Sequence, residues 1–325
     1  MQPTKGNPRK ITLRRLPFLM LATMFLGACT EREPILRVAC HPWVGYEPLY
    51  VAEALDYYAD STIRMVDTTS ATLTLSHLRH NTVEAACLTL DEALTIVAEG
   101  VDLAVVLVMD VSDGADVILA RPPITGLNQL RGKTIAVEKS AVGAVVLYAA
   151  LEKAGLGPGD VRTLTVPGNQ HEEVYLAGSV DAVVTFEPVK SALEARGAAV
   201  VFSSAQIPGR IVDVLVVRQA VLAPHSNNIR HLIQSYFHAL DYIERHPTVA
   251  AQLMSRRLRA PPERVVGLFD GLRQPDIEEN RELLSGAPAP LDVTAQELAE
   301  FLQAHDLLRI DQPVTTLSDA SFLLD

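Results

Sequence analysis

Short apolar runs alternate with helical patterns along most of the chain. Runs of strand length fall at residues 36–40, 62–66, 84–90, 103–109, 116–121, 133–137, 161–166, 181–186 and 212–217. Segments with apolar residues at helical spacing lie between most of them. This alternation predicts mostly parallel sheets covered by helices. After about Arg218 the pattern turns helical, and Ile229, Leu232, Ile233, Tyr236, Phe237, Leu240 and Ile243 make one apolar stripe. His231 and His238 fall on the opposite face and read as solvated side chains. Pro247 is expected to end that helix. Further helical patterns run to about His305, and the last twenty residues are loosely patterned.

The pattern also repeats. Val44-Gly45, Leu49-Tyr50 and Ala52 recur as Val142-Gly143, Leu147-Tyr148 and Ala150, an offset of 98. Thr82-Val83-Glu84-Ala85 recurs as Ser179-Val180-Asp181-Ala182, an offset of 97. A period near one hundred residues is too long for a solenoid unit and points to two similar α/β lobes.

A length of 325 residues suits about two domains. The hydrophobic fraction of 48% supplies a core, so the chain is not a disordered one. Lys and Arg total 28 against 39 Asp and Glu, a net charge of −11. Nucleic-acid binding needs a basic footprint and is not expected.

The charge is unevenly placed. Residues 1–28 hold Lys5, Arg9, Lys10, Arg14 and Arg15 and no acid, so removing them takes the net charge to −16. The basic stretch leads into an apolar run at 16–25, the pattern of a secretory signal. That run is too short to span a bilayer. Leu26-Gly27-Ala28-Cys29 then resembles a bacterial lipobox, in which the Cys29 thiol takes the lipid. The expectation is a signal peptide at 1–28, a lipid-anchored linker at 29–33, and a body in the periplasm held to a bacterial membrane. An oxidising compartment would permit a disulfide between Cys40 and Cys87, and buried free thiols fit as well.

Several motifs fail. Gly126 and Gly132-Lys133-Thr134 are separated by five residues where a phosphate-binding loop needs four, and the segment reads as a strand. His171-Glu172-Glu173-Val174-Tyr175 lacks the second His of a zinc-protease motif. His77 and His80 have no evident third ligand. No metal and no cofactor are expected.

What remains is a set of loops after the expected strands, where open α/β sheets bind ligands. They carry His41 to Tyr46, Thr68-Thr69-Ser70, Asp91, and Asp110 to Asp116. In the second half they carry Glu138-Lys139-Ser140, Pro167-Gly168-Asn169-Gln170 and Glu187-Pro188. Glu47-Pro48 is expected to open a helix, since proline is tolerated at its first turn.

At these loops the sequence resembles periplasmic substrate-binding proteins of the nitrate, sulfonate and taurine type, a group that includes binders of thiamine-precursor pyrimidines. The match is carried by Trp43 to Ala52, Ser112 to Asp116, Leu130 to Val137, Gly178 to Ala182, Thr185-Phe186-Glu187-Pro188 and Pro208 to Val217. The resemblance implies a type II two-lobed clamshell of mixed, mostly parallel sheets flanked by helices. Lobe 1 would hold 34–112 and 214–325, and lobe 2 would hold 113–213, with two hinge crossovers between them. It implies a monomer that closes on a small-molecule ligand and presents it to an ABC permease. A membrane sensor kinase or cyclase is the alternative partner. An enzyme like the pyrimidine synthases is a further alternative that the lipobox argues against, so the chain is expected not to be an enzyme.

The expected ligand contacts are Trp43, Tyr46, Ser70, Asp91, Asp110, Asp116, Glu138, Ser140, Asn169 and Glu187. Most of the charged ones are acids, and Lys139 is the obvious cation among these loops. Buried carboxylates need positive or hydrogen-donating partners. The loops therefore favour an amine, amidine or nitrogen heterocycle, with Trp43 or Tyr46 stacking on it.

Overall fold

The computed structural model describes residues 1–3, 6, 33–139, 142–309 and 316–323. The chain divides into two units, Met1–Arg32 and Glu33–Asp325. Cys29, expected to take the lipid, the site candidate Ser140 and all of the expected signal peptide except residues 1–3 and 6 lie outside the described residues. Among the described residues no helix is long and apolar enough to cross a membrane.

The second unit begins β1 (Leu36–Cys40), α1 (Glu47–Ala54), β2 (Ile63–Asp67), α2 (Ala71–Arg79), β3 (Ala85–Thr89), α3 (Leu90–Ala98) and β4 (Leu103–Ser112). It continues through β5 (Val117–Ala120), β6 (Thr134–Val137), α4 (Gly143–Lys153), β7 (Arg162–Thr165), α5 (His171–Leu176), β8 (Ala182–Thr185), α6 (Val189–Glu194) and β9 (Ala199–Ser203). The last elements are β10 (Val212–Arg218), α7 (Ser226–Arg245), α8 (Pro247–Leu258), α9 (Pro262–Val265), β11 (Leu272–Arg273), α10 (Ile277–Leu284) and α11 (Pro290–Ala304).

The strands form two sheets, ordered β11-β4-β10-β3-β1-β2 and β7-β6-β8-β5-β9. In the first sheet β1 runs parallel to β2 and β3, and β10 runs antiparallel to β3 and β4. In the second, β6 runs parallel to β7 and β8, and β5 runs antiparallel to β8 and β9. Five strands match in order, β2-β1-β3-β10-β4 with β7-β6-β8-β5-β9, and β11 has no counterpart; β1, β2 and β3 correspond to β6, β7 and β8 at the offset seen in the sequence. The chain passes between the sheets twice, from β4 to β5 and from β9 to β10.

Period-two alternation covers both faces of the second sheet. Ile118, Ala120, Ile135, Val137, Ala182 and Val184 pack on one side, and Val117, Leu119, Ala136 and Val183 on the other. The first sheet is sandwiched within one large core that takes in Ile229, Leu232, Ile233 and Tyr236 of the α7 stripe. The parallel register Val38↔Ala85 and Ala39↔Ala86 brings Cys40 beside Cys87. The two form a disulfide, with Cα atoms 5.0 Å apart.

Several local expectations are corrected. β9 and β11 were not anticipated; β9 is an edge strand paired only with β5, and β11 is two residues long. Asp110 lies in β4, not in a loop after it, because pairing with β10 and β11 carries the strand on to Ser112. Asp91 lies in the first turn of α3. Pro247 does more than end α7: it opens α8, where its missing N–H costs nothing. His231 is not a fully solvated side chain, since its Nε2 lies 2.8 Å from the Tyr57 carbonyl oxygen.

A register shift in the β4–β10 ladder skips Met109 just before Asp110. Such a bulge frees backbone groups and re-aims the strand. The Tyr236 hydroxyl donates to the Met109 carbonyl at 2.8 Å. The buried Asn280 accepts from the Val108 N–H at 2.7 Å and donates to its carbonyl at 3.0 Å. Beyond this point Asp110 faces Asp213.

Candidate functional site

The loops at the strand ends of the two sheets meet around a cavity of about 20 Å³, measured as space open to the centre of a water molecule. That exceeds the roughly 10–15 Å³ one water requires. The first sheet contributes His41, Trp43, Thr89, Glu92 and Asp213; the second contributes Glu138, His171, Thr185 and Phe186. Asp116 comes from the passage between β4 and β5. No Lys or Arg lines it among the described residues. A groove of about 640 Å³ lies outside, lined by Ser70, Asn169, Arg196, Arg257, Arg259 and Arg264 among others. His41, Glu138 and Phe186 line both spaces.

A carboxyl cluster sits beneath the cavity. The Trp43 indole N–H donates to Asp110 Oδ2 at 3.1 Å. The Tyr46 hydroxyl donates to Asp213 Oδ1. A side chain at position 45 would collide with this arrangement, since a Cβ there would lie 1.8 Å from Asp110 Oδ2. Gly45 is what lets the 43–46 turn press against the pair. Burial pushes Asp110 up to about 7, against the hydrogen bonds from Trp43 and Asp213. Burial, then the Asp110 charge, drives Asp213 far above the carboxylate range. Two carboxyl groups buried face to face disfavour a second negative charge, so one of the pair holds its proton.

Asp116 is also buried and pushed up to about 7 by desolvation. Its Oδ2 has no hydrogen-bond partner among the described residues. Asp91 and Glu92 open α3, and Glu92 accepts from the Thr89 N–H at 3.0 Å. Burial raises Asp91 to about 6 and lifts Glu92 well above its ordinary value. The imidazoles are neutral at pH 7: burial lowers His41 to about 3 and lowers His171. The arrangement is an excess of buried acid that a cation or a strong hydrogen donor would satisfy.

The sequence-expected residues divide. Trp43, Asp116 and Glu138 line the cavity, and Ser70, Asn169 and Glu138 line the groove. Tyr46 and Asp110 lie behind the cavity and reach it through Asp213 and Trp43. Asp91 and Glu187 line neither space. Glu187 instead accepts from the Ser191 N–H and hydroxyl at 3.1 and 2.9 Å, with Lys190 Nζ at 3.4 Å. Ser70 also caps α2, accepting from the Leu73 N–H at 3.3 Å.

Glu92, Asp213 and Arg257 were missed. Glu92 could have been read as the glutamate of a capping box with Thr89. The Arg257 guanidinium bonds the buried Glu47 carboxylate, Asp67 Oδ1 at 3.1 Å and the His41 carbonyl at 2.9 Å, and lies 3.5 Å over the Tyr50 ring. Its partners are about two hundred residues away, so no local pattern marks it.

The two mixed sheets, joined by two passages and meeting at this strand-end cleft, have the periplasmic-binding-protein fold. The alkanesulfonate-binding protein SsuA of Xanthomonas axonopodis pv. citri, bound to MOPS, is similar with a TM-score of 0.72 and 18% identity. That likeness covers 85% of this chain and 95% of that one. The periplasmic aliphatic sulphonate binding protein SsuA of Escherichia coli gives 0.70 and 18%, covering 90% and 97%. The periplasmic nitrate-binding protein NrtA of Synechocystis PCC 6803 gives 0.68 and 14%, covering 86% and 84%. No curated protein matches the sequence. The NMT1-like family profile matches residues 30–257, and this chain belongs to that family.

Proposed function

We propose that this chain is a solute-binding lipoprotein that captures a small nitrogenous cation or heterocycle between two lobes and delivers it to an ABC permease. Lobe 1 comprises 34–112 and 214–325, and lobe 2 comprises 113–213. The β4–β5 and β9–β10 passages serve as the hinge. Cys29 carries the lipid anchor, and the protein works as a periplasmic monomer. The resemblance of the fold to binding components named for sulfonate and nitrate supports a binding role rather than catalysis.

One observation carries the ligand class: Glu92, Asp116, Glu138 and Asp213 line the cavity and no Lys or Arg does, among the described residues. Trp43 and Phe186, edge to face at 5.6 Å, supply the aromatic wall. A cavity that holds about one water admits a solute only if the lobes part, a hinge motion.

A thermal-shift screen of the full-length chain tests this. The panel comprises small amines, amidines, pyrimidines, sulfonates, nitrate and bicarbonate. A ligand at a hundred times its Kd adds about 2.7 kcal/mol of stability. A higher melting point with an amine, amidine or pyrimidine is the expected result. A response confined to the anions would overturn the ligand class.

A further inference from the structure

Glu138 stands apart from the other acids of the cleft. Its Oε1 accepts from the Thr72 N–H at 3.0 Å and from the Thr72 hydroxyl. Its Oε2 accepts from the Gly168 N–H at 2.7 Å. Thr72 lies in the first turn of α2, on the first sheet, and Gly168 follows β7, in the second. One carboxylate thus ties the two halves together. It is almost fully buried and forms no ion pair with Lys or Arg among the described residues. Backbone N–H groups and the positive end of α2 hold it, which is how a helix N-terminus holds a bound anion.

Two further observations place this group at a boundary. Glu138, His41 and Phe186 are the side chains shared by the inner cavity and the outer groove. His41 is buried, neutral, and has an Nδ1 without a hydrogen-bond partner among the described residues, so it adds no positive charge that would draw in an anion. The packing is tight: a Cβ on Gly168 would lie 3.0 Å from Glu138 Oε2 and 3.3 Å from Phe186 Cζ.

We propose that Glu138 is an internal anion: its carboxylate occupies the N-terminus of α2 where an anionic solute would dock, walls the cavity from the groove with His41 and Phe186, and so makes the cleft reject anions. A second negative charge beside it would meet like-charge repulsion in a site shielded from water. This specificity role rests on the solute-capture reading, while the latch across the cleft does not.

The test uses the full-length protein and its Glu138→Ala and Glu138→Gln variants. Methanesulfonate and nitrate are titrated by calorimetry, and formate is added during thermal melts and X-ray scattering. Glu138→Ala is expected to melt lower and to scatter as a larger particle. Formate should reverse both changes by refilling the carboxylate position, and leave the wild type unmoved. Both variants should bind methanesulfonate at least about tenfold tighter than the wild type, because the opposing charge is gone. Wild-type affinity for methanesulfonate equal to that of the variants would overturn the specificity role. Formate without effect on Glu138→Ala would overturn the latch. The formate arm needs no solute, so it stands whether or not the amine screen succeeds.

Discussion

Replacing Asp116 with Asn tests whether the cleft stores buried, protonated acid. In an unfolded chain Asp116 titrates near 3.8; in the folded protein, burial pushes it to about 7, opposed by Ser112 and Lys190 and reinforced by Asp91. A raised folded-state pKa gives stability that is fully present below the unfolded value. It is lost as pH rises through the folded one. A shift of about three units corresponds to about 4 kcal/mol. The wild type should therefore lose about 4 kcal/mol relative to Asp116→Asn between pH 4 and pH 7.5. The Asp116 charge also raises Asp110 and Asp213, so the variant relieves them and the difference grows in the same direction. His41 works the other way, its pKa depressed to about 3, so its contribution is present above pH 6.5 and fades as pH falls. That contribution is common to both proteins and cancels in the difference. Urea unfolding at half-unit steps from pH 4 to 8 provides the measurement. Parallel stability profiles for the two proteins would refute the argument.

Two further predictions concern what holds the site in place. Asn280→Ala removes both partners of Val108 at the β4 bulge, and each buried group left unmet costs about 1–3 kcal/mol in chemical denaturation. A loss below about 1 kcal/mol would mean that the bulge does not depend on Asn280. The Cys40–Cys87 disulfide closes a long loop, with a sequence separation of 47. Changing both residues to Ala should lower stability by about 4 kcal/mol by the chain-entropy estimate. Unchanged urea midpoints would show that the two strands are held without the bond.

Part of this architecture is legible from local pattern. The strand-length apolar runs coincide with β1 to β8 and β10 to within a few residues, because a strand or helix is set by its own period and its end residues. Pro48 sits in the first turn of α1, and Ser70 caps α2 through a contact within three residues. The repeat at an offset of 97–98 is visible because both halves must meet the same packing problem with the same strand order. The abundance of acid at the strand ends is likewise a property of the sequence alone.

What each acid does is decided elsewhere. Glu187 and Asp116 look alike as acids at the ends of apolar runs, yet the first caps its own helix and the second borders a cavity without a partner on Oδ2. Asp110 meets Asp213 only because β10 returns to the first sheet after the whole second sheet has been built. Arg257 reaches Glu47 across 210 positions, and Glu138 reaches Thr72 across 66. Elements follow from hydrogen bonds and periods within a few residues, which the sequence by itself determines. Burial and charge partners come from segments that are distant in the chain, and only the tertiary structure brings them within reach.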